Sequence, residues 1–202
     1  MKNWETYGTS SVKKEILSYN KVPVFNGSNT SLESFLTSAY ESLDIQYPKY
    51  FKMDTMCKLA FLASEILLKY NPWINYLAKE TVAICTQTAT SSLVTDLKFQ
   101  QAIQDPEAYF PSPSVFVYTL PNVATGEICI RNGFKGENLC LVLEQFDPES
   151  VLFQIEDWFE EGQTQVCLLG WIEVSEDDYS IEWRAIGTCS KESLSSNSEE
   201  KN

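Results

Sequence analysis

Three apolar runs of strand length constrain the fold of this chain most strongly. They lie at Thr81–Cys85, Leu139–Leu143 and Gln165–Val174. Continuous apolar runs of about four to eight residues are typical of strands that are buried on both faces of a sheet, because a solvated face would introduce alternating polar residues. A sheet of such strands needs helices on both sides. The runs therefore predict a fold of the α/β class.

Segments with helical periodicity separate the three runs. The strongest begins at Asp54, a residue type that favours the N-cap, and continues to about Tyr70 with one wide apolar stripe. Further helices are predicted at Leu32–Leu43, Leu93–Ile103, Leu120–Ile130 and Ser150–Glu161. Gly162 is expected to end the last of them, since glycine readily adopts the left-handed conformation. Tyr179–Ile186 is expected to pair antiparallel with the third run and to cover the sheet edge, which makes the sheet mixed.

The two ends of the chain differ from its middle. Tyr19–Phe25 predicts a strand within an otherwise mixed N-terminal stretch. Residues 190–202 are almost entirely Ser, Glu, Lys and Asn, and such a segment cannot bury enough apolar surface to fold. We therefore expect an N-terminal segment at 1–44, one folded domain at 45–189 and a disordered, acidic, Ser-rich tail at 190–202.

Charge and composition narrow the partners and the chemistry. The chain has 28 acidic and 15 basic residues, which gives a formal net charge of −13. A phosphate backbone or an anionic membrane would repel this surface, so neither nucleic acid nor membrane is an expected partner. The absence of histidine excludes Ser-His-Asp and Cys-His catalysis within the chain, and also zinc sites with imidazole ligands. We expect no metal and no cofactor.

The cysteines indicate the compartment. The chain has six, without a CxxC pair, and five of them lie in apolar stretches. This pattern favours buried free thiols in a reducing environment over a disulfide framework. The N-terminus carries no apolar signal segment, and charged residues interrupt the longest apolar stretch, so neither a signal peptide nor a membrane span is predicted. We expect a cytoplasmic protein.

A series of short motifs follows the order found in a known family. Gly136-Glu137-Asn138 precedes the run at Leu139–Leu143, Gln145 follows at a strand-to-helix elbow, and Gly162 and Gly170 come next. This order and spacing resemble the N-terminal half of the β-ketoacyl synthases, the 3-oxoacyl-acyl-carrier-protein synthases of the thiolase-like superfamily. Three earlier segments of this chain, Lys52-Met53-Asp54, Val82–Cys85 and Pro121–Ile128, also resemble motifs of that family. The resemblance therefore spans about residues 45–175.

The resemblance implies a thiolase-like half-fold, with a mixed sheet flanked by helices, for residues 45–189. It also places Gln145 where the family has its nucleophilic cysteine, and a glutamine cannot form a thiolate. The family's two catalytic histidines have no counterpart in a chain without histidine. No catalytic residue is therefore expected, and Gln145, Glu144 and Asn138 remain as candidate binding residues. Glu144 is more simply interpreted as a carboxylate at a strand end or helix N-terminus. Cys140, the nearest alternative nucleophile, is more simply interpreted as a structural thiol inside the strand.

The implied function is an accessory one. The resemblance suggests a non-catalytic, chain-length-factor-like subunit of bacterial fatty acid or polyene/polyketide biosynthesis. We expect a homodimer, or a heterodimer with a full-length ketosynthase, that forms through Leu139–Leu143. Contact with an acyl carrier protein is expected to be indirect, unless Lys49, Lys52 and Lys58 form a basic patch. Two alternatives stay open: a malonyl-carrier-protein decarboxylase that uses Gln145, and a stand-alone acyl- or carrier-binding module.

Overall fold

The computed structural model describes residues 4–27, 30–176 and 178–188. Within these ranges one sheet has seven strands in the order β3-β2-β1-β7-β6-β4-β5. The strands are β1 (Glu5–Lys13), β2 (Ile16–Tyr19), β3 (Val22–Asn26), β4 (Val82–Thr88), β5 (Asn138–Val142), β6 (Val166–Val174) and β7 (Tyr179–Gly187). The α-helices are α1 (Leu32–Ser42), α2 (Thr55–Tyr70), α3 (Leu93–Ile103), α4 (Pro113–Phe116), α5 (Val123–Asn132) and α6 (Pro148–Glu160). Short 3-10 helices occupy Pro48–Lys52, Pro72–Tyr76, Lys79–Thr81, Pro106–Ala108 and Val117–Thr119.

The sheet is mixed and flanked by helices, as predicted. Strands β4, β5 and β6 run parallel, and β7 pairs antiparallel with β6, which confirms the expected pairing of Tyr179–Ile186. Every residue of β4 is buried. This burial follows from the position of β4 between two parallel neighbours, with helices packed on both faces.

Helices α2 and α6 pack on opposite faces of the sheet. Helix α2 packs against β1, β2, β6 and β7, and most of its residues are buried. The predicted N-cap is confirmed, because the Asp54 carboxylate accepts a hydrogen bond from the Cys57 backbone N–H at 2.9 Å. Helix α6 covers the other face with Val151, Ile155 and Phe159. It is followed by Gly162, which has a φ of +70° as expected.

The N-terminal segment forms three strands rather than one. A turn at Asn20-Lys21, where both residues have positive φ, splits the predicted strand Tyr19–Phe25 into β2 and β3. Strand β1 was not predicted, because its sequence is mostly small and polar. Tertiary contacts hold it instead: the buried Ser10 hydroxyl donates to the Ala63 carbonyl of α2 at 2.6 Å. Since β1 pairs with β7, these strands extend the same sheet. The division of the chain at residue 44 stays a prediction.

Two further predictions about the sheet are wrong. Strand β7 does not cover a sheet edge, since it pairs with β6 on one side and with β1 on the other. The run Leu139–Leu143 is not buried on both faces: β5 is an edge strand whose residues are half-buried or exposed, and the Val142 side chain is 60% exposed. An apolar run indicates that a strand has apolar surface to bury, but it does not indicate whether the same chain or a partner buries that surface.

Several element boundaries differ from the predicted ones by a few residues. Strand β4 continues to Thr88, so the predicted loop at Thr86–Ser92 is shorter. Helix α5 begins at Val123 instead of Leu120, because a 3-10 turn and Pro121 precede it. The predicted tail at 190–202 lies outside the described residues. None of the described helices has the length and apolar character needed to cross a membrane.

Candidate functional site

The segment between β5 and α6, residues 143–147, forms an elbow at the carboxyl end of the parallel strands. Its first residue is tied to the sheet, because the Leu143 N–H donates to the Thr88 carbonyl at 2.9 Å. Its last residue is held by the fully buried Gln87 of β4. The Gln87 carboxamide donates to the Asp147 carbonyl at 2.8 Å and accepts from the Asp147 N–H at 3.0 Å. The Gln87 side chain thus bonds this backbone as a neighbouring strand would.

An aromatic contact orients the middle of the elbow. The Phe146 ring lies 5.9 Å from the Trp171 ring, between centroids, and the Arg184 guanidinium sits 4.9 Å from the Phe146 centroid. Arg184 is in turn paired with Glu182 at 2.7 Å. Because Phe146 is turned towards the sheet, the two residues before it, Glu144 and Gln145, are exposed.

The structure brings only two of the three predicted site residues together. Glu144 and Gln145 are adjacent and exposed in the elbow. Asn138 is exposed too, but it is the first residue of β5, at the opposite end of that strand. A binding role for Gln145 and Glu144 stays a prediction, and Asn138 would have to act at a separate place.

The elbow offers little support for a negative charge at position 145. Helix α6 begins three residues later, at Pro148, which has no N–H to donate. The Asp147 carboxylate caps this helix by accepting the Ser150 N–H at 3.1 Å. A carboxylate therefore already occupies the end of the helix where an activated nucleophile or an oxyanion would be stabilised.

The described cysteines are free, and burial works against their activation. Burial raises the pKa of Cys85 to about 12 and the pKa values of Cys57 and Cys167 well above the ordinary thiol value. Cys140 lies in β5, as predicted, and is half-buried there. Residues 4–27, 30–176 and 178–188 contain no cluster of three or more cysteine and carboxylate side chains that could hold a metal ion.

The lysines proposed as a basic patch have different surroundings. The Lys49 ammonium lies 2.8 Å from the Glu127 carboxylate, and this contact raises the pKa of Lys49. Lys58 lies 5.9 Å from the centroid of the Tyr50 ring. Lys52 lines a cavity of about 200 Å³ together with Lys98 and Asp54. The positive charge of Lys49 is thus neutralised within the chain, which weakens the predicted patch.

The free edge of β5 has a defined set of outward groups. The Ile84 N–H donates to the Glu137 carbonyl at 2.9 Å, and the Leu143 N–H donates to Thr88 at the other end of the strand pair. Hydrogen bonding alternates along a strand, so the odd-numbered residues from 137 to 143 bond β4. The N–H and C=O groups of Asn138, Cys140 and Val142 consequently point away from the sheet, at its outer edge.

Sequence reasoning missed two polar residues that shape this end of the sheet. One is Gln87, which follows the apolar run Thr81–Cys85 among small polar residues, so no local pattern signals its full burial. Once buried, its carboxamide must find hydrogen-bond partners. The other is Glu173 of β6, whose carboxylate accepts from the Ala89 N–H at 2.7 Å and from the Thr90 hydroxyl at 2.5 Å. Glu173 thereby holds the loop between β4 and α3, which lies beside the elbow.

The chain has the thiolase-like fold seen in solved structures of ketosynthases and chain length factors, as predicted. No protein-family model and no curated protein matches the sequence significantly. Solved structures do match. One is the ketosynthase ApeO in complex with its chain length factor ApeC from Xenorhabdus doucetiae, with 11% identity and a TM-score of 0.63 over 95% of this chain and 81% of the other.

Two further structures resemble the chain over a smaller share of their own length. The ishigamide ketosynthase/chain length factor has 11% identity and a TM-score of 0.61, with 91% of this chain and 62% of that chain covered. AntDE:AntF, a type II PKS acyl-carrier protein in complex with its ketosynthase bound to the hexaketide, has 12% identity and a TM-score of 0.58. In that comparison 93% of this chain and 63% of the other are covered. At these identities the likeness is one of fold.

Proposed function

We propose that this chain is a non-catalytic, chain-length-factor-like partner subunit of a full-length ketosynthase. The observation that carries the proposal is the open edge of β5, which leads directly into the exposed elbow that contains Gln145, the residue that the family resemblance aligns with the nucleophile. An apolar edge strand that faces water exposes unpaired N–H and C=O groups and attracts other strands. A partner strand would satisfy the outward groups of Asn138, Cys140 and Val142.

The chemistry of the elbow supports an accessory role. Gln145 cannot become a nucleophile, the chain has no histidine, and the Asp147 carboxylate occupies the helix end beside it. The same features disfavour the alternative of a malonyl-carrier-protein decarboxylase, since the Asp147 carboxylate at the α6 N-terminus would repel an oxyanion. Undiminished release of carbon dioxide from malonyl carrier protein after Gln145→Ala would exclude a decarboxylase that uses Gln145.

The comparisons support the kind of partner. The similar structures include complexes of a ketosynthase with a chain length factor and a complex of a ketosynthase with an acyl carrier protein. We therefore propose a heterodimer in a polyketide- or fatty-acid-type pathway, with the carrier protein bound mainly by the partner. Free, buried thiols support a site of action in the cytoplasm.

The test is co-expression of the tagged chain with each full-length ketosynthase of its source genome. We expect a one-to-one complex by light scattering, and condensing activity that depends on both subunits. Gln145→Ala should leave complex formation unchanged. A monomer that ignores every ketosynthase would contradict the proposal, and a stable homodimer without one would favour the stand-alone binding module.

A further inference from the structure

Helix α3 is an unusual helix for a folded domain, because Thr95 is its only buried residue. Leu93 and Leu97, one turn apart on the same side, are 46% and 43% exposed. A surface helix normally turns such an apolar stripe towards the core. Within the described chain, the stripe of α3 is left without that cover.

The segment after α3 adds aromatic side chains to the same surface. It folds back onto the helix, since the Phe110 N–H donates to the Ala102 carbonyl at 3.1 Å and the Phe116 ring lies 5.4 Å from the Phe99 ring. We call the resulting surface the apolar cap. Its members are Leu93, Leu97, Tyr109, Phe110, Phe116 and Leu120, which are between 43% and 76% exposed.

Hydrogen bonds connect the apolar cap to the elbow that follows β5. The Ser92 hydroxyl donates to the Thr119 carbonyl at 2.8 Å, and the Thr88 hydroxyl accepts from the Ser91 N–H at 2.9 Å. The carbonyl of the same Thr88 accepts from Leu143 at the start of the elbow. The cap and the elbow therefore lie at the same, carboxyl end of the parallel strands.

Interface area explains why a second contact is needed. A stable interface buries about 800 Å² on each partner, which is more than the edge of a five-residue strand supplies. The three aromatic side chains of the cap expose on the order of 400 Å², because a whole aromatic side chain presents about 150–250 Å². Residues 109–120 also contain no charged side chain, although the chain has a net charge of −13.

We propose that the apolar cap docks against an apolar surface of the same ketosynthase partner that pairs with β5. The inference rests on the proposed function and extends it from a strand edge to a two-part interface. A non-identical partner is favoured over a second copy, because two chains of charge −13 would repel each other on approach.

The test compares two phenylalanines of nearly equal exposure. Phe110, in the cap, is 76% exposed, and Phe153, on α6, is 77% exposed. We expect Phe110→Asp and Phe116→Asp to weaken the ketosynthase complex by about tenfold or more in a titration monitored by fluorescence anisotropy, as loss of an aromatic anchor does. Phe153→Asp should leave the affinity unchanged. Thermal unfolding of each free variant checks that the fold is kept.

The outcomes separate the two proposals. A complex that forms with the wild-type chain but is unaffected by both cap variants would overturn the cap and leave the partner role standing. An equal loss with Phe153→Asp would also overturn it, since the effect would not be local. Failure of the wild-type chain to bind any ketosynthase would overturn both. A homodimer that the cap variants dissociate would overturn the choice of a ketosynthase as the occupant.

Discussion

The two edges of the sheet, β3 and β5, differ in how they end it. Strand β3 contains Pro23, which cannot donate a hydrogen bond, and its pairing with β2 is interrupted by one inserted residue between two registered pairs. Strand β5 pairs with β4 in continuous register and contains neither proline nor bulge. Its sequence from Leu139 to Val142 is apolar throughout.

This difference supports the proposal that β5, and not β3, is an interface. Proteins protect exposed strand edges with proline, bulges or charge, because an open edge recruits other chains. Strand β3 carries two of these devices. Strand β5 carries neither, although it pairs with the buried strand β4 and leads into an elbow that Gln87 anchors. A rigid, open and apolar edge is the arrangement that strand-to-strand association requires.

The largest effect on partner binding is expected when a proline, which protects the edge of β3, is introduced into β5. Cys140→Pro removes an outward N–H and no hydrogen bond to β4, so the chain should fold while its complex with the ketosynthase weakens by about a hundredfold. Sedimentation velocity of the co-expressed pair measures this loss. Cys140→Ala is the matched control, since it keeps the N–H, and it should bind as the wild type does. Equal binding by both variants would exclude β5 as the contact.

The next effect concerns the anchor behind the open edge. Gln87→Ala leaves the Asp147 N–H and C=O without their partner inside the protein, which should lower the free energy of unfolding by about 2 kcal/mol. Urea denaturation followed by tryptophan fluorescence measures the change. Gln163→Ala, at an exposed position, serves as the control and should change stability by less than about 0.5 kcal/mol. A result for Gln87→Ala within that range would mean that the elbow is held by other contacts.

Thiol reactivity should distinguish the edge from the interior. At pH 8 we expect Cys140 to react with iodoacetamide at least about tenfold faster than Cys85, because burial shields Cys85 and its pKa of about 12 leaves little thiolate. Raising the pH towards that value increases the thiolate fraction of Cys85 and should narrow the ratio. Peptide mass spectrometry measures both rates. Protection of Cys140 on addition of the ketosynthase would place the partner on β5, and unchanged labelling would place it elsewhere.

The smallest effect is expected when the proline that protects the edge of β3 is removed. Pro23→Val restores a backbone N–H on β3 but leaves the inserted residue in place, so self-association should rise only a few-fold, by about 0.5–1 kcal/mol. Sedimentation equilibrium over a range of concentrations measures it. Association as strong as that of β5 with its partner would show that proline alone separates the two edges.

Local pattern predicted the parts of the fold that neighbouring residues decide. Helix α3 has the predicted bounds, Leu93–Ile103, and Asp54 caps α2 as expected. Strand β6 lies in its predicted apolar run, and β4 begins in its own predicted run and continues past it to Thr88. These elements depend on periodicity and on caps, both of which are written in consecutive side chains.

Tertiary contacts decided what local pattern does not contain. Strand β1 is held by the Ser10 bond to Ala63 and by pairing with β7, two partners more than fifty residues away in the sequence. The anchoring role of Gln87 appears only when β5 and α6 are in place, and the separation of Asn138 from Gln145 follows from the direction of β5.

The sequence by itself therefore determined most of the helices, the strands in the apolar runs, the absence of histidine chemistry and the likeness of fold. Only the tertiary structure decided that β7 is central and that, among residues 4–27, 30–176 and 178–188, nothing covers the edge of β5 or the apolar stripe of α3. The physical reason is that the side-chain pattern of a segment indicates how much apolar surface it must bury. The order of the strands decides whether another part of the chain or a partner buries that surface.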